Sequence, residues 1–408
     1  MTMNAASARA AAPWRIALGL SMGAAVSLGI TRFAYGLLLP PMREDLDWSY
    51  LLAGGMNTAN ALGYLLGALG TPWLMRRLGA GRLLVGGAVV ASLFMAASGF
   101  FTDAGALLAQ RLLAGVASAW VFIAGGLLAA RLGTLQSGRS GFLLGLYYGG
   151  TGFGIVLSAL LVPWLLQRAA GVPHGWAWAW WVLAAACAGA VLPLAWAARA
   201  MAAAEGAASA GDARAPSTPP HHQRPRAPLP RLGWALAGYT CFGAGYIGYM
   251  TFVIALLRAQ GASAGQLTLF YALLGAAVVL SSRLWAGLLD RWRGGGPQAL
   301  LNALLGVATL LPVLSPAWPV ALASGLLFGG VFLSVVASTT ALVRHNLPPA
   351  QWAAGISAFT IVFAFGQIAG PTLVGWIADG PGGLARGLLA SALALWVGAA
   401  LAWRQRTL

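Results

Sequence analysis

The chain has 408 residues, of which 59% are hydrophobic and only 8% charged. A water-soluble protein carries about 25% charged residues, so this composition excludes a soluble globular fold. The net charge of +16 would suit a nucleic-acid binder. However, the 24 basic residues are all arginine, and most lie at helix ends and in alternate loops instead of one patch, which argues against nucleic acid as a partner.

Apolar stretches of about 20 residues recur along the whole chain, and each is long enough to cross the ~30 Å hydrocarbon core of a bilayer as a helix. We therefore predict an all-α membrane protein with twelve transmembrane helices. The first stretch is too long for a cleaved signal peptide and is expected to remain as a spanning helix. The predicted spans are residues 14–40, 50–75, 82–101, 104–131, 140–167, 176–199, 232–257, 265–289, 297–315, 318–343, 352–378 and 383–403.

A segment of different composition separates the sixth span from the seventh. Residues 200–231 are rich in Pro, Ala, Ser and Arg and show no apolar period, which predicts a disordered linker. The linker divides the chain into an N-terminal bundle over 14–199 and a C-terminal bundle over 232–403, with tails at 1–13 and 404–408. GITRFAY (29–35) and GAGYIGY (243–249) align, so the two bundles are predicted to be parallel repeats.

Arginine is distributed unequally between the loops. With the N-terminus inside, the cytoplasmic segments hold 17 of the 24 arginines and the external loops hold four. Because cytoplasmic loops carry the excess of basic residues, both tails and the linker are predicted to be cytoplasmic.

Twelve spans, a 6+6 division and a basic central linker resemble the major facilitator superfamily of secondary transporters. That family has a Gly-x-x-x-Asp-Arg-x-Gly-x-Arg loop after its second helix, and PWLMRRLGAGR (72–82) resembles it with Arg76 at the acidic position and Pro72 at the glycine. The copy after the eighth helix, AGLLDRWRG (286–294), keeps the acid. The resemblance implies a gating or structural role for Arg77, Gly79, Arg82, Asp290 and Arg291.

Two further patterns carry the same resemblance. RLLAGVAS (111–118) matches a fourth-helix pattern through Arg111 and Gly115, and GQIAGP (366–371) places Gly366, Gly370 and Pro371 in the eleventh helix. Drug antiporters carry the second pattern in the fifth helix, so its position argues against that activity. RFAYGLLLPPM (32–42) most resembles the bacterial YbfB/YjiJ branch. The resemblance implies two pseudo-symmetric six-helix bundles and alternating-access transport by a monomer in the bacterial inner membrane.

The charges predicted to lie deep in the membrane are all positive. All eight acidic residues fall in loops, in the linker or at helix ends, whereas Arg32, Arg111 and Arg283 fall within spans. At about 1.5 Å per residue, Arg32 and Arg111 both lie about 12 Å deep. Guanidinium pairs bidentately with carboxylate or phosphate, so we predict that Arg32 and Arg111 bind an anionic group of the transported solute. Arg32 could instead donate to helix-end carbonyls or to asparagines of the second helix and brace the N-terminal bundle.

Other polar residues are predicted to share this layer or to face it from the tenth helix. They are Tyr35, Asn57, Asn60, Tyr246, Tyr249, Ser334 and Ser338. The asparagines could equally join helices to one another, and Tyr147 and Tyr148 are interpreted as packing residues. The predicted partners are a small solute with a carboxylate or phosphate group, and membrane lipids.

The sequence leaves open the energy source for transport and two alternative functions. No carboxylate or imidazole lies deep in a span, so proton coupling and anion exchange are not distinguished. The same absence argues against a membrane-embedded enzyme, and neither a metal site nor a cofactor is expected. A drug or metabolite exporter of the same superfamily and a non-transporting scaffold or sensor are the alternatives to an anion transporter.

Overall fold

A computed structural model of the chain describes residues 12–135, 140–211 and 229–408. The regular elements in these ranges are all helices, which confirms the predicted all-α class. Twelve long helices follow one another along the chain: α1 (Pro13–Asp45), α2 (Tyr50–Leu78), α3 (Ala80–Ala97), α4 (Ala104–Thr134), α5 (Ser140–Arg168), α6 (Trp176–Gly211), α7 (Gly233–Ala259), α8 (Ala264–Leu284), α9 (Gly296–Leu314), α10 (Trp318–Asn346), α11 (Trp352–Ala378) and α12 (Gly383–Trp403).

Eleven of these twelve helices in the described residues are long and apolar enough to cross a membrane. The exception is α2, which has 29 residues but includes Asn57, Thr58, Asn60 and five glycines. These residues lower its mean hydropathy without shortening it. At about 1.5 Å per residue α2 is still about 43 Å long, enough to span a bilayer.

The end of α6 differs from its predicted position. The sequence predicts that this helix ends at residue 199 and that a disordered linker covers 200–231, but α6 continues to Gly211. The continuation reads MAAAEGAASAG, and alanine has the highest intrinsic helix propensity. A short 3₁₀ turn, Leu229–Leu232, then leads into α7. The rest of the predicted linker, residues 212–228, lies outside the described residues.

Glycine lets helices approach closely within each half, where the N half is α1–α6 and the C half is α7–α12. A Cβ atom on Gly63 of α2 would lie 1.9 Å from the Leu112 carbonyl oxygen of α4, and one on Gly115 would lie 2.1 Å from the Asn60 oxygen. In the C half, a Cβ on Gly329 of α10 would lie 2.3 Å from the Leu274 oxygen of α8. Small residues at such crossings allow backbone-to-backbone packing in membranes.

The two halves are joined at one end of the bundle. We call the side on which α1 begins and α12 ends the termini side, and the opposite side the far side. At the far side the Asp379 carboxylate, at the end of α11, accepts hydrogen bonds from the backbone N–H groups of Tyr50 (2.7 Å) and Leu51 (2.8 Å) at the start of α2. Arg258 of α7 forms an ion pair with Glu44 of α1 at 2.8 Å.

Deeper contacts between the halves also lie toward the far side. Thr58 of α2 shares a hydrogen bond with Thr372 of α11 at 2.7 Å, and Tyr271 of α8 donates to the Phe33 carbonyl of α1 at 2.7 Å. Nearer the termini side, the guanidinium of Arg283 lies 5.5 Å from the Phe142 ring centroid. Within the described ranges, the side-chain hydrogen bonds between the halves are therefore concentrated in the far half of the bundle.

The motif residues implied by the family resemblance lie at helix ends and crossings. Gly79 ends α2 with φ +79°, a conformation that favours glycine, and Arg77 lies 4.4 Å from the Trp73 ring centroid. Arg82, Asp290 and Arg291 are exposed. In α11, Cβ atoms on Gly366 and Gly370 would meet the carbonyl oxygens of Thr240 and Ala244 on α7, and the Pro371 carbonyl lies against Gly54 of α2.

Candidate functional site

The middle of α1 departs from α-helical geometry. Residues Ala25–Phe33 form a π-helical segment, and α-helix resumes at Tyr35. The Ser27 carbonyl accepts hydrogen bonds from the hydroxyls of Ser118 (2.6 Å) and Thr31, which compete with backbone donors for that oxygen. The Ser27 hydroxyl in turn donates to the Ser118 carbonyl at 2.8 Å. These bonds fix the π segment against α4, and π segments are frequent at functional sites.

Arg32 lies in this π segment with an incompletely paired guanidinium group. The residue is only 2% exposed, and 13 residues separate it from Asp45, which corresponds to a depth of about 20 Å. Within the described residues, Arg32 Nε and Nη2 have no hydrogen-bond partner. A buried donor without an acceptor costs about 1–3 kcal/mol, and more when it is charged. Arg32 therefore has an unsatisfied donor edge at mid-depth between the halves.

Arg111 has a different environment, although it is equally buried. Its Nη1 donates to the Thr31 carbonyl at 2.6 Å and its Nη2 donates to Asn57 Oδ1 at 3.1 Å, while Nε has no partner. The guanidinium carbon lies 5.1 Å from the Tyr35 ring centroid and 5.6 Å from that of Trp180. Protein groups thus use both terminal nitrogens of Arg111 and surround its charge with aromatic rings.

The predicted polar layer is assembled around Arg111 and extends into the C half. Asn57 Nδ2 donates to Thr251 Oγ1 of α7 at 2.8 Å, and Asn60 Nδ2 donates to the Arg111 carbonyl at 3.1 Å. The Tyr35 hydroxyl donates to the Ala53 carbonyl at 2.8 Å. A continuous set of hydrogen bonds therefore runs from α1 through α4 and α2 to α7.

Tyr246 of α7 is linked to the π segment through Phe332, whose ring centroid lies 5.8 Å from that of Phe33, the residue after Arg32. Its hydroxyl accepts a hydrogen bond from Gln367 Nε2 of α11. Its ring stacks between those of Phe332 (5.0 Å) and Phe363 (5.6 Å), with interplanar angles of 21° and 12°. The stacked rings of Tyr246, Phe332 and Phe363 form the C-half side of the site, which we call the C-half wall.

Three predicted site residues have partners elsewhere. Tyr249 stacks on Phe328 at 4.0 Å, and its hydroxyl shares a 2.6 Å hydrogen bond with Ser324. Ser334 donates to the Ser281 carbonyl of α8 at 2.9 Å, and Ser338 donates to the Val335 carbonyl of its own helix at 2.7 Å. Tyr249 and Ser334 thus connect helices of the C half, and the Ser338 hydroxyl is satisfied within its own helix.

Two tyrosines that the sequence did not single out for the site lie beside it. Tyr64 of α2 is half-buried, and its ring centroid lies 6.5 Å from that of Phe122. Tyr148 of α5 is 39% exposed, and its ring centroid lies 5.8 Å from that of Phe122. Tyr147 packs as predicted, with its hydroxyl on the Phe122 carbonyl at 2.7 Å. A signal for Tyr64 exists in the sequence, because it follows Asn60 by one helical turn.

No acidic residue of the described ranges balances the charge of this site. Glu44 and Asp45 end α1, Asp103 precedes α4, and Asp379 follows α11. Asp212 lies outside the described residues. Among the residues that the structure describes, no group of His, Cys, Asp or Glu could hold a metal ion.

A separate cavity of about 650 Å³ lies at the far side between α1, α5, α7 and α8. The charged residues that line the cavity pair with neighbouring residues. Glu44 forms the ion pair with Arg258, and the Asp45 carboxylate accepts hydrogen bonds from His174 (2.6 Å) and Trp176 (2.5 Å). These charged groups of the cavity therefore pair with one another, whereas Arg32 Nε and Nη2 have no partner within the described residues.

Two six-helix halves around a buried polar layer at mid-depth define a secondary transporter fold. The chain belongs to the family described as uncharacterised MFS-type transporter YbfB, whose family model matches residues 24–403. This match confirms the resemblance to the major facilitator superfamily and to its YbfB branch. No curated protein matches the chain significantly.

Solved structures of transporters share the fold. A bacterial homologue of the human lysosomal transporter Spinster, in an inward-facing and unoccupied conformation, matches with TM-score 0.66 and 16% identity, covering 96% of each chain. The nucleoside transporter NupG (D323A mutant) matches with TM-score 0.67 and 14% identity over 95% of this chain and 98% of its own. PepTSo2 matches with TM-score 0.66 and 16% identity over 95% and 94%. At these identities the likeness concerns the fold alone.

Proposed function

We propose that the protein is a secondary transporter that moves a small organic anion across the bacterial inner membrane by alternating access of its two halves. The family and the fold support transport. The anionic character of the solute is inferred from one observation, the two donor atoms of buried Arg32 that have no acceptor among the described residues.

The geometry of those two atoms favours a carboxylate or phosphate. Nε and Nη2 lie on the same edge of a guanidinium group, and their N–H bonds point in nearly the same direction. Two oxygens of one anionic group match this edge with two parallel, charge-assisted hydrogen bonds. A charged arginine in mid-membrane costs about 2.5–3.5 kcal/mol on insertion scales, and a bound anion would offset part of that cost.

Arg111 has a supporting role in this proposal. The sequence suggests that both arginines hold the anion, but the donors of Arg111 already bind Thr31 and Asn57. Because Asn57 also donates to Thr251, Arg111 connects the π segment that presents Arg32 to α7 of the C half. Ligand binding at Arg32 would therefore affect the contact between α2 and α7, which belong to different halves and have to rearrange during transport.

Alternating access requires the far side to open. With both termini in the cytoplasm, as the arginine distribution predicts, the far side is periplasmic and the contacts of Asp379 and Arg258 close it. The termini side, where the described side-chain hydrogen bonds between the halves are fewer, is then cytoplasmic. The solute would bind Arg32 between these two sides.

The test compares Arg32→Gln, Arg32→Lys and the control Arg283→Gln, which changes an exposed arginine on the Phe142 ring. Purified protein is screened by thermal shift against small carboxylates and organic phosphates, since a ligand stabilises the folded state that binds it. The hits are then used in uptake assays with proteoliposomes. We expect Arg32→Gln to lose stabilisation and uptake, Arg32→Lys to retain a fraction, and Arg283→Gln to behave as wild type. Equal stabilisation of wild type and Arg32→Gln would refute the anion site.

The exporter alternative has one observation in its favour, the aromatic rings around Tyr246, because such rings attract cations. Arg32 would nevertheless repel a lipophilic cation, because no carboxylate of the described ranges lies beside Arg32 to screen its positive charge. Tetraphenylphosphonium in the same screen distinguishes the two functions. The anion proposal expects no stabilisation by this cation in wild type, whereas an exporter of cations would be stabilised. A scaffold or sensor would show no flux with any solute.

A further inference from the structure

We infer that the transported anion has a planar aromatic body, and that Phe363 and Tyr148 determine this specificity. This inference rests on the proposed function, because it concerns the part of the solute that extends from the group bound by Arg32.

The C-half wall of the site is a stack of nearly parallel rings. Phe363 lies 5.0 Å from Tyr239, 5.5 Å from Phe242 and 5.6 Å from Tyr246 between ring centroids, with interplanar angles of 22°, 15° and 12°. Its three neighbours are buried, whereas Phe363 is half-buried. Phe363 is therefore the ring of this group that offers accessible surface, and another ring could extend the stack there.

The N-half wall is aromatic as well. Tyr148 is 39% exposed, and Phe122 lies 5.8 Å from it between ring centroids. Ring contacts connect both walls to neighbouring elements: Tyr64 of α2 lies 6.5 Å from Phe122, and Phe33, the residue after Arg32, lies 5.8 Å from Phe332, on which Tyr246 stacks. The guanidinium edge and the accessible rings thus belong to one region of the protein.

The chemistry of this region favours an aromatic body over a sugar or a flexible chain. Recognition of several hydroxyl groups would need free polar side chains, but the hydroxyls of Thr31 and Ser118 bind each other and the backbone, and Asn57 binds Arg111 and Thr251. Offset ring stacking adds to the burial of apolar area, by about two- to tenfold in affinity for each ring pair. A saturated ring of the same size gains the burial and loses the stacking.

The experiment measures binding of three probes to the purified full chain, by competition with radiolabelled benzoate. Benzoate carries the planar ring and the charge, cyclohexanecarboxylate keeps the charge on a non-planar ring, and benzamide keeps the ring without the charge. We expect benzoate to bind wild type about fivefold tighter than cyclohexanecarboxylate, from one or two ring pairs, and benzamide to compete weakly.

Phe363→Leu is the diagnostic variant, and Phe365→Leu is its matched control. Both residues lie on α11, but Phe365 is 60% exposed and is not part of the ring stack of Phe363. We expect Phe363→Leu to bring the ratio of the two carboxylate affinities close to one and Phe365→Leu to leave it unchanged. Tyr148→Leu is the second variant if Phe363→Leu does not fold, and it is expected to lower the same ratio.

The outcomes separate this inference from the proposed function. Equal binding of benzoate and cyclohexanecarboxylate by wild type overturns the aromatic specificity, and so does a ratio unaffected by Phe363→Leu. In either case the anion proposal survives if Arg32→Gln still abolishes binding of both carboxylates. Binding of benzamide as tightly as benzoate, with no effect of Arg32→Gln, overturns both. Absence of benzoate binding at millimolar concentration also overturns the aromatic inference.

Discussion

Asp379 is the residue through which the C half closes on α2 at the far side, and Asp379→Asn is expected to loosen that closure. Its two carboxylate oxygens accept from the first backbone N–H groups of α2, at 2.7 and 2.8 Å. Ser49 accepts from the next one, that of Leu52, at 3.1 Å. The helix start is thus capped jointly by its own half and by the other half. Opening the far side would leave α2 with the serine cap alone.

The size of the effect follows from the charge at the helix end. A carboxylate at a helix N-terminus contributes about 0.3–1 kcal/mol when exposed and up to about 2 kcal/mol when partly buried. Asparagine keeps one oxygen acceptor and loses the charge. We therefore expect a loss of about 1 kcal/mol from the closed far side, which is about a fivefold change in the ratio of closed to open populations.

The populations can be measured by double electron–electron resonance in nanodiscs. Spin labels at Val172 and Ala317 report the far side, because both residues are exposed there and lie in different halves. The native Cys187 and Cys241, which are free thiols, are first replaced by alanine. We expect the longer distances between the labels to gain population in Asp379→Asn.

Glu44→Gln is the matched control for the same closure. It removes the exposed ion pair with Arg258, and exposed pairs contribute only about 0–1 kcal/mol. An unchanged distance distribution in Asp379→Asn would refute the reasoning. A shift in Glu44→Gln as large as that in Asp379→Asn would show that net charge at the far side, and not the helix cap, controls closure.

Three further variants test the packing and the polar layer. Thr251→Val should leave Asn57 without its acceptor and lower the free energy of unfolding by about 1–3 kcal/mol, measured as a fall in thermal midpoint. Gly63→Ala should be strongly destabilising because its Cβ would overlap a carbonyl of α4. Gly70→Ala is the control, and it should be neutral or slightly stabilising because the space around Gly70 is open. Equal thermal unfolding midpoints for the two variants would contradict the observed helix packing. Arg111→Lys should retain solute binding but slow uptake, because lysine cannot contact both of its acceptors in one plane; wild-type uptake would exclude the proposed connection to α7.

Much of the fold could be predicted from the sequence. The predicted spans and the observed helices coincide within a few residues at most ends, as for α11 and α12. The end of α6 was missed because an alanine-rich helix can leave the membrane without any apolar period to mark it. The helices of a membrane protein can be predicted from its sequence because backbone N–H and C=O groups in hydrocarbon must form hydrogen bonds within their own segment.

The candidate site could be predicted only in part. Arg111 contacts Tyr35, Asn57 and Asn60, which the sequence grouped with it by depth in the membrane. The sequence could not distinguish a guanidinium with an unpaired edge from one held by carbonyl and amide oxygens, because those acceptors come from other helices. It also could not place Ser334 against α8 or Tyr148 beside Phe122.

The sequence by itself determined the number of long helices, the approximate length of all but α6, the division into two halves and the absence of acidic residues deep in the predicted spans. These depend on composition and on the rise per residue. Tertiary structure alone decided which face of each helix meets a neighbour, the π segment that presents Arg32, and the hydrogen bonds of Asp379 with α2. The physical reason is that lipid and protein interior are both apolar, so a membrane helix carries little periodic signal of the face it buries.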